Sequence, residues 1–104
     1  MLSLDAAKAK LNITWDDEIT DRRVQDIIDD LHPKVCHTLG LPEDFDFGEP
    51  GAERMLFLNA VFYEWNDAFD DFEGNYLEEI MQIRNKHEVE EYRSKNAETQ
   101  APDV

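Results

Sequence analysis

The chain has a single cysteine, Cys36, so no disulfide can form within it, and a reducing compartment suits it. Glycine and proline number only four each. That scarcity, with most of them gathered in one stretch, argues against a disordered or fibrous chain. No apolar run is long enough to span a bilayer; the longest, Met55 to Tyr63, is interrupted by Asn59. The opening residues Met1-Leu2-Ser3-Leu4-Asp5 lack the basic and apolar regions of a signal peptide, which predicts a soluble protein that is intracellular when made.

Positive charge is also scarce. Ten Lys and Arg stand against 25 Asp and Glu, a formal net charge of −15. Residues 1–40 carry eight acids and five bases, and residues 81–104 carry five acids and four bases. Residues 41–80 carry twelve acids and one base, Arg54, for a net −11. Such a field repels phosphates, so sequence-specific nucleic-acid binding is not expected, and an anionic membrane surface is disfavoured.

What the chain does have is enough for one small helical domain. Its 104 residues are 41% hydrophobic, with six Phe, two Trp and three Tyr. Ser3 can cap a short helix running to Lys10 or Leu11, broken by Asn12 and Ile13. Thr14 or Asp16 opens a second helix, with Asp16, Asp17 and Glu18 at its positive end. Val24, Ile27, Ile28, Leu31, Val35 and Leu39 share one face and keep phase across Pro33, which predicts a kinked helix ending at Gly40.

Residues 40–51 read as a loop anchored by Phe45 and Phe47. A third helix is expected from Pro50 or Gly51 to about Asp71. Its main apolar face is Met55, Phe57, Leu58, Val61, Phe62, Trp65, Ala68 and Phe69, with Phe72 a candidate to extend it. Leu56, Ala60 and Tyr63 form a second apolar stripe on the polar side. Gly74 marks a turn, and Asn75 can cap a fourth helix with the stripe Tyr76, Leu77, Ile80, Met81, Ile83 and His87. The expected fold is all-α: a bundle of one short and three longer helices over residues 1–93, with a flexible polar tail over 94–104.

Reactive constellations are weak. Glu64-x-x-Asp67 and Glu88-x-x-Glu91 invert the carboxylate order of a magnesium-dependent nucleotide pyrophosphohydrolase and lack a nearby phosphate-binding cation. His32, Cys36, His37 and His87 do not have zinc-ligand spacing. No nucleophile motif or glycine-rich phosphate loop exists, and no calcium loop can be drawn around Gly48 or Gly74. The expectation is therefore no catalytic residue, no metal and no cofactor.

The order of these features resembles the small head–tail connector (adaptor) proteins of tailed phages and prophages. The resemblance runs from Leu4 to about Lys86. It begins with Leu4-Asp5-x-x-Lys8-x-x-Leu11-Asn12 and an acidic opening to a long helix ending in Leu39-Gly40. Pro50-Gly51-x-Glu53-Arg54-x-Leu56-x-x-Asn59 follows, continuing to Tyr63-x-x-Asn66. Phe72, Asn75-Tyr76 and Ile83-Arg84 complete the pattern. Pro33 and the pair Trp15 and Trp65 have no place in it.

The resemblance implies a ring, a dodecamer by symmetry with the portal protein, docked beneath the portal after DNA packaging. The ring would extend the DNA channel and receive a stopper or tail-completion protein. It implies a place at the head–tail junction of the virion, with the host cytoplasm as the site of assembly. A closed ring needs two different faces per subunit. Leu56, Ala60 and Tyr63 are candidates for one, with packing beneath the 40–51 loop as their other destination. Arg22, Arg23, Arg84 and Lys86 are candidates to meet a neighbour's acidic third helix. Glu64, Asp67, Asp70 and Asp71 are candidates for an acidic channel face past which DNA slides. Two other readings stay open: the nucleotide pyrophosphohydrolase, and an acidic regulator that mimics nucleic acid.

Overall fold

The computed structural model describes the backbone of residues 2–99 and the side chains of residues 2–94. Among the described residues the secondary structure is helical only. Helix α1 spans Leu4–Lys10, α2 Glu18–Leu39 and α3 Ala52–Trp65. A single 3-10 turn, Phe69–Asp71, leads into the short α4, Phe72–Asn75, and α5 spans Leu77–Thr99. None of these helices is long and apolar enough to cross a membrane.

The starts of α1 and α2 follow capping chemistry. Ser3 Oγ accepts the Ala6 N–H at 3.1 Å. The second helix opens later than Thr14 or Asp16, because Asp16 is used otherwise: its carboxylate meets Lys8 Nζ at 3.1 Å. Asp17 takes the cap, accepting the Thr20 N–H at 3.1 Å and the Thr20 hydroxyl at 2.7 Å.

Three helices stop in the same way. Each ends with a residue at positive φ, flanked by two backbone bonds that close onto the last turn. At α1 the residue is Asn12 (φ 60°), with Ile13 N–H donating to Lys8 O at 2.9 Å. At α2 it is Gly40 (φ 70°), with Leu41 N–H donating to Cys36 O at 2.8 Å. At α3 it is Asp67 (φ 56°), with Ala68 N–H donating to Tyr63 O at 2.8 Å. The expectation that the third helix runs to Asp71 is thereby corrected: it ends at Trp65. Gly74 does not make a turn either; it lies inside α4 with open space where a Cβ would be.

Helix α2 is the centre of the bundle and touches α1, α3 and α5. Its Val24, Ile28, Leu31, Val35 and Leu39 are all buried, and Ile27 is half-buried. This stripe holds both halves of α2 on one core, so the helix passes through Pro33 despite the lost hydrogen bond. The 40–51 loop is pinned as expected: Phe47 is wholly buried, 4.9 Å from Phe45 and 4.5 Å from Phe57 between ring centroids.

The faces of α3 differ from the expected ones. Its buried side chains are Glu53, Leu56, Phe57, Ala60 and Val61, whereas Met55 and Phe62 are exposed. The helix is packed between α2 on one side and α5 on the other, so its buried arc is wide. Glu53 lies within that arc, so the buried face takes in a carboxylate as well as apolar side chains. On α5, Ile80 and Ile83 are buried, but Leu77 and Met81 point outward.

Helix α5 does not end where its apolar stripe fades. The backbone is helical through Thr99, and residues 100–104 of the expected tail lie outside the described residues. From Glu88 to Ser94 every side chain is exposed. The chain consequently measures 62 Å along its longest axis, with a radius of gyration of 16.6 Å. A compact chain of this length would have about 13 Å.

Asp67 places a carboxylate at the negative end of α3 and in a backbone region that favours Gly or Asn. Asp67→Gly should stabilise the fold by about 0.5–1 kcal/mol, read as a higher urea midpoint. A lower midpoint would show that Asp67 makes a stabilising interaction of its own.

Candidate functional site

Where the cations go decides what surface this molecule presents. Lys8 is 7% exposed and bridges α1 to α2, with Nζ 2.8 Å from Asp21 and 3.1 Å from Asp16. The hydrogen bonds to Asp21 and Asp16 raise its pKa and keep it charged. Arg23 lies over the Trp65 ring at 4.5 Å, Lys34 over Phe69 at 5.2 Å and Lys10 over Phe62 at 6.0 Å. Arg54 reaches the Gly48 carbonyl at 3.4 Å.

Arg84 of α5 donates to the Thr38 carbonyl at 2.9 Å and the His37 carbonyl at 3.4 Å. It thus neutralises the negative end of α2. Lys86 is hydrogen-bonded to Glu53, whose Oε1 also lies 3.0 Å from His87 Nε2. These contacts tie the first turn of α3 to the middle of α5. Burial alone would raise the Glu53 pKa. The bonds from Lys86 and His87, helped by the backbone N–H of Glu53, outweigh it and lower the value from 4.5 to about 2.

The candidate subunit interface therefore needs correcting. Leu56 and Ala60 are 4% and 0% exposed and have no surface to offer a neighbour. Tyr63 is half-buried, with ring centroids 5.9 Å from Phe72 and 5.8 Å from Tyr76, and its hydroxyl accepts from Asn75 at 3.0 Å. The stripe closes the chain's own core, because α5 covers the side of α3 that was counted as polar. Arg84, Lys86 and Arg23 are internal ties, and only Arg22 of the four candidate cations is exposed without such a role in this fold.

The residues of the candidate acidic face lie at the end of α3 and in the turn after it. Asp67, Asp70 and Asp71 are exposed around the turn that follows α3, and Glu64 is half-buried beside them. The last turn of α3 has no basic residue to offset them. A second surface went unseen in the sequence. Between α3 and α5 runs a groove of about 240 Å³ whose lining includes Met55, Leu56, Tyr76, Glu79 and Ile83. The packing of α5 against α3 creates it, and the Glu53 contacts with Lys86 and His87 join the same two helices.

The residues considered for metal chemistry do not converge. His32 donates from Nε2 to the Glu43 carbonyl at 2.7 Å and meets Phe47 edge-on. Cys36 is buried in the core, and burial, then the charges of Glu43 and Asp44, raises its thiol pKa. His37 is exposed at the end of α2, and His87 is engaged with Glu53. Among the described residues no three His, Cys, Asp or Glu side chains lie close enough to share an ion. No family model, no curated protein and no solved structure matches this chain.

The depressed pKa of Glu53 fixes the sign of a pH dependence. Its contribution is present above the ordinary value of 4.5 and is lost as pH falls towards about 2. Glu53→Gln should cost roughly 1–3 kcal/mol at pH 7, measured by urea unfolding. The gap to the parent chain should narrow as pH drops from 5 towards 2; a gap that is constant with pH would contradict the assignment.

Proposed function

We propose that this chain is a structural head–tail connector (adaptor) of a tailed phage or prophage. It forms a ring on the portal protein, extends the DNA channel and receives a stopper or tail-completion protein. It performs no chemistry. The reading starts from the order of helices and turns between Leu4 and Lys86.

The observation that carries it is the outer half of α5. Seven exposed residues, Glu88–Ser94, continue the helix beyond the core, and among them Val89 and Tyr92 are 46% and 66% exposed. A short helix isolated in water is marginal, so this segment makes sense as one that another chain covers. That is the anatomy of an assembly component more than of an enzyme.

The acid supports the same reading. Asp67, Asp70 and Asp71 are exposed on the turn after α3, and the last turn of that helix carries no basic residue, although Arg23 and Lys34 lie over the nearby Trp65 and Phe69 rings. Asp67 sits at positive φ at the C-terminal end of α3, where the helix dipole disfavours a carboxylate. A channel wall of this sign would keep DNA from adhering as it passes.

The test mixes the chain with the purified portal ring of the same phage or prophage and examines the product by electron microscopy. A portal capped by a further ring of matching symmetry is expected. No association at any salt concentration would contradict the proposal. Tight binding to a basic DNA-binding protein instead would point to the nucleic-acid mimic, and magnesium-dependent pyrophosphate release from a nucleoside triphosphate would point to the hydrolase.

A further inference from the structure

The outer face of α3 carries an apolar stripe that the bundle leaves uncovered. Met55, Leu58, Phe62 and Trp65 follow one another at spacings of three, four and three residues. That is the heptad spacing of a helix seam, and it holds the four within an arc about 80° wide. Met55 is 66% and Phe62 41% exposed, while Leu58 and Trp65 are half-buried at the edge of the core. Met55 also lines the groove between α3 and α5, so stripe and groove are continuous. No acid of α3 falls on the stripe: Glu53 is buried, and Glu64 lies on the far side of the helix.

One flank of the stripe is lined with cations. Lys10 lies over the Phe62 ring at 6.0 Å, and Arg23 lies over the Trp65 ring at 4.5 Å. Arg54 falls on the same flank, beside Leu58 and Trp65 at helical spacing. Among the described residues none of these three forms an ion pair. Acids outnumber bases 25 to ten in this chain, and Lys8 and Lys86 each find one. The other flank is uncharged Asn59 and Asn66, and Glu79 stands beyond it across the groove.

We propose that this surface seats an amphipathic helix of another protein, apolar at the same heptad spacing and bearing carboxylates along one flank. Its apolar side chains pack onto Met55 and Phe62 and into the groove. Its carboxylates meet Lys10, Arg23 and Arg54, the cations that the fold leaves without an acid. Glu79 repels a carboxylate on the opposite flank, so the acid belongs on one side only. A second copy is the poorer occupant, because it brings a net charge of −15 where a few acids suffice. An anionic bilayer meets the same repulsion. The seat is apart from the exposed arm of α5, and it stands whether or not the chain caps a portal.

Two labelled synthetic peptides of about three heptads test the proposal by fluorescence anisotropy. Both carry leucine at the seam positions; one has glutamate along one flank and the other lysine. The net charge of −15 by itself favours the lysine peptide, so a preference for glutamate reads the local cations. At about 0.15 M salt, where long-range charge is screened, the glutamate peptide should bind about tenfold tighter. Lys10→Gln combined with Arg23→Gln should remove most of that preference. Met55→Ser, at an exposed position, should weaken the glutamate peptide several-fold, and Val89→Ser on the α5 arm should leave it unchanged. Binding of neither peptide, or equal or tighter binding of the lysine peptide, would overturn the proposal. So would self-association that Met55→Ser abolishes, or binding to phosphatidylserine vesicles that Lys10→Gln and Arg23→Gln abolish.

Discussion

The carboxylate of Glu53 is the contact on which the arrangement of α5 depends. It is 8% exposed, at the start of α3, and it binds Lys86 and His87 from the middle of α5. A buried charge left unpaired would cost several kcal/mol, so the contact also enforces a register. With Lys86 and His87 held there, Ile80 and Ile83 reach the core, and Arg84 reaches the carbonyls that end α2. Everything beyond His87 is then carried past the core.

Cation scarcity extends this logic to the whole surface. Lys8, Arg23, Arg84 and Lys86 each fasten one helix or segment to another, by an ion pair, a ring face or a carbonyl. Each such tie removes positive charge from the outside. The result is an acidic exterior on a fold whose internal electrostatics are largely satisfied. That combination suits a protein recognised by its surface, and it suits passage of DNA better than capture of it.

Much of the fold was legible in the sequence because it follows local rules. The Ser3 cap, the α2 stripe through Pro33, the Gly40 stop and the Phe47 anchor all follow from spacing or backbone preference. The end of α3 was missed because its positive-φ residue is Asp67 and not glycine, and Asn66-Asp67 was the available signal. The face of α3 was misjudged because its buried arc takes in Glu53, whose partners lie more than thirty residues away. Leu56, Ala60 and Tyr63 were set on the far side of the helix from its main apolar face, and that side is covered by later segments of the chain. Lys86 and Arg84 were seen as candidates for a neighbour when they serve their own chain. A pattern of residue types cannot distinguish a cation that binds within the chain from one that binds across subunits.

The division of α5 into a docked half and an exposed arm links the fold to the proposed assembly role. Amide hydrogen exchange along α5, measured in dilute solution where the chain is alone, tests that division most directly. Residues 80–87 should exchange slowly with the core, and residues 88–94 should exchange orders of magnitude faster. The outer segment should gain protection when a portal ring is supplied. Equal protection of both halves in the dilute chain, or no gain on association, would contradict the account.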